Sequence, residues 1–181
     1  MKALVARGLL VAAMAGGCIL PPPVSIEQGT NQRPIVLTEQ VKPAAASVDL
    51  NLNCSRCTFT LQTDDPDQTD TVSTRWFLDY DDGNIDPIGF FDAPPAGGSF
   101  RSPINYPLDL QQRFPRQSDE GTTHTLDVVL SDRGFADSGQ PLNRSVPAGA
   151  GVSTFRWTVK LERRGTRCDD VQNICVSDVA R

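Results

Sequence analysis

The stretch VSTRWFLDY, residues 72–80, decides the fold. Val72, Trp76, Leu78 and Tyr80 share one face of an extended chain, with Arg75 and Asp79 on the other. A strand sends successive side chains to opposite faces, so this period of two reads as a half-buried strand. Working outward, the pattern returns in CTFTLQ (57–62), where Cys57, Phe59 and Leu61 oppose Thr58, Thr60 and Gln62. It returns again in HTLDVVLSD (124–132), with Leu126, Val128 and Leu130 aligned, and in STFRWTVKLE (153–162). There Phe155, Trp157, Val159 and Leu161 face Arg156, Thr158 and Lys160. Weaker strands are predicted around 35–37, 48–52, 88–91 and 104–110, with Gly, Pro and Asp clusters between them. No repeat and no amphipathic helix emerges. Seven to eight short antiparallel strands at this spacing predict an all-β sandwich of two sheets, each wet on its outer face.

The longer run DPDQTDTVSTRWFLDYD (65–81) resembles the immunoglobulin-like and polycystic-kidney-disease-like modules of bacterial surfaces. In those modules an Asp-Pro-Asp turn leads into a strand carrying an aromatic. The resemblance implies an immunoglobulin-like β-sandwich over residues 34–163. It implies no activity, since one fold serves many functions.

Upstream, MKALVARGLLVAAMAGGC (1–18) has a basic start, a short apolar run and small residues. That is the layout of a secretory signal, and the run falls well short of the roughly 20 residues that span a bilayer. AGGC (15–18) resembles the bacterial lipobox, with Ala15 where that family prefers Leu. The resemblance implies that residues 1–17 are a lipoprotein signal peptide and that Cys18 is lipidated and becomes the N-terminus. The acyl chains, palmitate among them, would tether the chain to the membrane, at about 0.8 kcal/mol per buried methylene. By the same family's sorting rule, Ile19 points to the outer membrane. Residues 18–33 then form a disordered proline-rich tether, PPP at 21–23 included, and residues 164–181 a tail after the sandwich.

Losing Lys2 and Arg7 takes the formal charge from −5 to −7. An acidic chain of this kind lacks the basic stripe of a nucleic-acid binder. Of five cysteines, removing Cys18 leaves Cys54, Cys57, Cys168 and Cys175, an even set in an exported chain, where disulfides are the rule. Residues three apart in a strand lie about 10 Å apart. A Cys54–Cys57 bond therefore needs a turn at Ser55–Arg56. Two patterns stay open: bridges from Cys54 and Cys57 to Cys168 and Cys175, or two local bridges.

Two acidic runs, TDDPDQTD (63–70) and DYDDGNID (79–86), are candidate oxygen-rich calcium loops, with Asp64, Asp65, Asp67 and Asp70 as the ligand set. The second departs from the EF-hand pattern at Gly83 and Asn84. The alternative for both is turn and solvated loop. FDAPPAGGSFRSP (91–103) is a candidate recognition loop, with Phe91, Phe100 and Arg101 as contacts, although the phenylalanines could equally fill the sandwich. His124 is the only histidine, so no multi-histidine metal site forms, and it reads as a scaffold residue at a strand start. Arg156, Lys160, Arg163, Arg164 and Arg167 read as an edge strand protected by charge, or else as a patch for an acidic partner.

These features predict no catalytic residues and no obligatory cofactor. They predict a non-catalytic envelope lipoprotein, an interaction or structural component with a protein or surface-polysaccharide partner. A carbohydrate-binding module, calcium-assisted or not, is the alternative; a small envelope hydrolase comes third.

Overall fold

The computed structural model of the chain describes residues 31–44, 46–80, 85–136 and 144–163. The signal, Cys18, most of the tether, Cys168, Cys175 and the tail beyond residue 163 lie outside the described residues. The strands are β1 (Ile35–Val36), β2 (Ser47–Asn51), β3 (Arg56–Leu61), β4 (Thr63–Asp64), β5 (Val72–Leu78), β6 (Gly89–Ala93), β7 (Ile104–Asp109), β8 (Thr123–Ser131) and β9 (Val152–Glu162). One helical turn, α1 (Leu110–Arg113), follows β7, capped by the Asp109 carboxylate, which accepts from Gln112 N.

One layer is a five-stranded sheet in the order β2-β9-β8-β5-β6. The other is built from β3 paired with β7, and from β4, just past Gln62, paired with β1. This is an immunoglobulin-like β-sandwich. The pairings are antiparallel except β2 with β9, which is parallel. The expectation of an all-antiparallel sandwich is corrected there. No hairpin joins β1 to β2; residues 37–44 lead the chain away from β1, and β2 meets β9 running alongside it.

The alternation seen in the sequence becomes the core. Trp76 stacks on Tyr106 at 4.9 Å and on Trp157 at 5.8 Å, and Phe59 meets Trp157 edge-on at 5.1 Å. Both tryptophans are fully buried. Gly89 allows this stack: a Cβ there would lie 2.7 Å from the Tyr106 ring. Burial pushes the Tyr106 hydroxyl up to about 12. Pro107 sits on β7, whose other edge carries no strand among the described residues, where a missing N–H costs no ladder bond.

The five-stranded sheet is not wet along β5 and β8, which corrects a second expectation. Arg75, Phe77, Asp127 and Val129 all point away from the main core, yet each is buried. Described residues at the two ends of the β8–β9 connection fold back over them. Phe135 lies under the Arg75 guanidinium at 4.2 Å, and Arg144 covers Tyr80 at 3.7 Å and Phe77 at 5.1 Å. Burying a side chain such as Phe77 contributes about 1.5–3 kcal/mol. The molecule therefore has a second, smaller core with charged members.

Candidate functional site

The acidic loop between β4 and β5 is organised by a guanidinium. Arg101, expected as a surface recognition residue, is instead buried. Its Nη1 donates to the carbonyls of Gly98 (2.8 Å) and Ser99 (2.7 Å), and its Nη2 to those of Asp67 (3.0 Å) and Asp70 (3.0 Å). The planar fork of donors suits four carbonyls converging from two loops. Asp65 is fully buried, with Oδ2 3.8 Å from Arg101 Nη2, beyond hydrogen-bond range and without a hydrogen-bond partner. Its Oδ1 accepts from Asp67 N (2.9 Å). Burial pushes the Asp65 carboxyl above its ordinary value; the Asp67 amide and the Arg101 charge pull the other way, and Asp132 and Asp67 add to the rise.

The candidate calcium ligands do not converge. Asp67 Oδ2 accepts from Gln32 N (2.7 Å), and Asp70 Oδ1 from the Thr69 hydroxyl (3.3 Å). Among the described residues no group of three or more His, Cys, Asp or Glu side chains is placed to hold a metal ion. Arg101 lies against the main-chain carbonyls of Asp67 and Asp70 and beside the Asp65 carboxylate. Of the other recognition-loop residues, Phe91 packs against Tyr106 at 6.2 Å and joins the core, while Phe100 is 61% exposed.

His124 joins a cluster that spacing did not reveal. Its Nδ1 lies 2.5 Å from Asp79 Oδ2 and its Nε2 lies 2.8 Å from Thr122 Oγ1. Asp79 Oδ1 also accepts from Thr125 N (2.8 Å). The order carboxylate, imidazole, hydroxyl is that of a nucleophilic triad. The Thr122 hydroxyl, however, donates to the Asp119 carbonyl (2.5 Å), so it faces the imidazole as an acceptor. Phe114 packs over the imidazole at 4.7 Å. The cluster ties the 119–122 turn and Asp79 to the start of β8, as a scaffold histidine would.

Cys54 is disulfide-bonded. Cys57 is not its partner, which excludes the local bond across Ser55–Arg56. Both cysteines are buried, Cys57 facing the core from β3. Cys18, Cys168 and Cys175 lie outside the described residues. The cations near the end of β9 are drawn into ion pairs: Lys160 with Glu162 (2.9 Å), Arg163 with Glu120 (3.5 Å) and Arg156 with Asp127. Arg164 and Arg167 lie outside the described residues.

A groove of about 380 Å³ lies open between β1 and the first half of β9, lined in part by Arg33, Ile35, Val36, Thr154 and Phe155. Its origin is the way β2 covers β9. The register runs from Ser47 opposite Thr158 to Asn51 opposite Glu162, so β2 leaves 152–157 bare on that edge. Thr158 N bonds to Ala46 O, so even-numbered residues turn their backbone groups to this side. Val152 and Thr154 therefore present N–H and C=O groups with which no strand among the described residues pairs. On the facing side Leu37 N bonds to Gln62 O, so neighbouring Val36 turns its backbone away from β4. Val36 and Phe155 pack on the core from the groove, and Ile35 is 45% exposed. The groove is pinched where Ser153 Oγ donates to Pro34 O and Gly151 meets the Arg33 backbone; a Cβ on Gly151 would lie 2.5 Å from Arg33 Cα.

No family model matches the chain, and no curated protein does. Among solved structures the chain is similar to the CARDB domain of a Pyrococcus furiosus protein, determined in complex with di-metal ions. Identity is 11%, with 72% of this chain and 91% of that one covered and a TM-score of 0.36.

Proposed function

We propose that this chain is a non-catalytic, lipid-anchored component of the bacterial envelope that holds a protein partner. The anchor rests on AGGC at 15–18, preceded by a basic and apolar segment. The observation that carries the binding role is the groove beside β9, where paired-strand geometry stops half-way along an edge and leaves backbone donors and acceptors beside Val36 and Phe155. Buried cores end in satisfied backbone groups, and an open edge is the standard template for another chain. The test is photo-crosslinking in intact cells from Thr154, with Thr58 on the other sheet as control, after fractionation. One dominant protein adduct from Thr154 in the membrane fraction is expected. Recovery of the protein in the soluble fraction would overturn the anchor, and equal labelling from both positions would overturn the binding role. Cys18→Ser is expected to release the chain from the membrane fraction.

A second reading, a carbohydrate-binding module, draws on the exposure of Phe90 (52%) and Phe100 (61%). Against it, Trp76 and Trp157 are both inside the core, where neither can stack on a sugar ring. Retention on immobilised envelope polysaccharide, lost in a Phe90→Ala/Phe100→Ala variant, would bring this reading forward.

A further inference from the structure

We infer that the groove accepts an extended segment of a partner polypeptide as an added strand on β9, continuing the row that β2 begins, and that this segment bears a carboxylate opposite Arg33. This deepens the proposed binding role and rests on it. Three observations select an extended peptide. First, Val152 and Thr154 offer backbone groups at the spacing of a strand edge, directly in line with the β2 row that already occupies residues 158–162. Second, Val36 turns its own backbone groups outward from β1, so the facing wall is also a strand edge. Third, apolar side chains contribute to the floor, Phe155 resting on Trp157 at 4.5 Å and Val36 on the same core. A strand laid there would bury every second side chain against Phe155 and Ile35 and send the others to solvent.

The carboxylate follows from Arg33. Arg33 is exposed, lines the groove and has no ion pair or hydrogen bond among the described residues. The cations further along β9 already have carboxylate partners. An acidic side chain or chain end on the incoming segment would complete that pairing at the pinched end of the groove. A second copy of this chain offers a weaker fit, because the bare edge of β9, residues 152–157 (VSTFRW), holds no carboxylate to pair with Arg33.

The test uses the purified full-length protein and fluorescent peptides of about six residues. The peptides alternate apolar and polar side chains and carry a flanking Asp or a flanking Lys; binding is read by anisotropy. Asp-flanked peptides are expected to bind, and N-methylation at alternate residues to abolish binding. Thr154→Pro removes an outward N–H that makes no bond to β8. It is expected to weaken binding at least about tenfold, with an unchanged circular dichroism spectrum. Arg33→Glu, a surface change, should weaken the Asp-flanked peptide about fivefold and relieve discrimination against the Lys-flanked one. Should Thr154→Pro fail to fold, Arg33→Glu and the N-methylated peptides still decide. Binding unaffected by N-methylation or by Arg33→Glu overturns the inference. So does binding of no peptide, in which case a Thr154 adduct in cells would leave the broader binding role standing. A dimer in analytical ultracentrifugation that Arg33→Glu leaves intact would assign the groove to self-association and overturn it as well.

Discussion

Two buried aspartates in this molecule sit beside arginines and behave in opposite ways. Asp65 lies 3.8 Å from Arg101, whose terminal nitrogens donate to four backbone carbonyls and not to the carboxylate. Asp127, on the far side of the five-stranded sheet, receives hydrogen bonds from both Arg144 and Arg156. Burial raises both carboxyls, yet Asp127 ends below its ordinary value because the hydrogen bonds and charges of Arg156 and Arg144 together outweigh desolvation. Asp65 ends above its ordinary value because desolvation outweighs the Asp67 amide and the Arg101 charge, which comes without a hydrogen bond. The lesson is that a nearby opposite charge and a hydrogen-bonded partner are different things in a protein interior. In the first site the arginine serves the backbone and the aspartate tolerates it. In the second, the aspartate is the anchor on which the β8–β9 connection is pinned.

The largest effect is expected at Arg101. Arg101→Met leaves four carbonyls without their donor and Asp65 without its compensating charge, and should cost about 3–5 kcal/mol in urea denaturation. A loss under about 1 kcal/mol would show that water replaces the guanidinium and that the clamp is not structural. Next comes Asp127→Ala. Arg144 and Arg156 are partly exposed and can rehydrate, so a loss of about 2–3 kcal/mol is expected. Trypsin should cut within the β8–β9 connection faster in this variant, while the β4–β5 loop stays protected. Equal cutting at both loops would contradict the separation drawn between the two sites.

The two carboxylates also differ in how they tie stability to pH. Asp127 is depressed when folded, so its contribution is fully present above the ordinary carboxylate value, about 4, and is lost as pH falls through its lowered value. Asp127→Asn should therefore flatten the acid limb of stability against pH. Asp65 is raised when folded, so the folded chain binds the extra proton between the ordinary and the raised value. Stability contributed there falls as pH rises through that window. Asp65→Asn should remove that fall and leave the acid limb alone. Profiles that move together in the two variants would show one coupled network. The smallest effect is expected from Asp65→Asn at neutral pH, within about 1 kcal/mol of the wild type. The amide keeps an acceptor for Asp67 N and gives up only a poorly partnered charge.

The inward faces were legible because burial at one sheet face follows a period of two. Phe59, Trp76, Leu126, Val128, Trp157, Val159 and Leu161 all lie in the core where alternation places them. The expectation of a wet outer face failed at Phe77 and Val129, which are buried beside Arg75 and Asp127, with Arg144 lying over Phe77. Two apolar residues on a supposedly wet face were a signal of that cover. Arg101 was misread for a related reason. A guanidinium in a proline-glycine loop looks like a surface contact until the carbonyls that surround it are assembled from two separate loops. The Asp79–His124–Thr122 cluster joins positions up to 45 residues apart, a distance no local pattern spans.

What depends on neighbours along the chain was legible in the sequence: strand periods, the apolar inner faces and the acidic turns. Tertiary structure decided what depends on neighbours in space. It set the parallel meeting of β2 with β9, which carboxylate an arginine serves, and where an edge is left open. A strand's period states which face needs burial, but hydrogen bonds and ion pairs form only with whatever group the fold brings within about 3–4 Å.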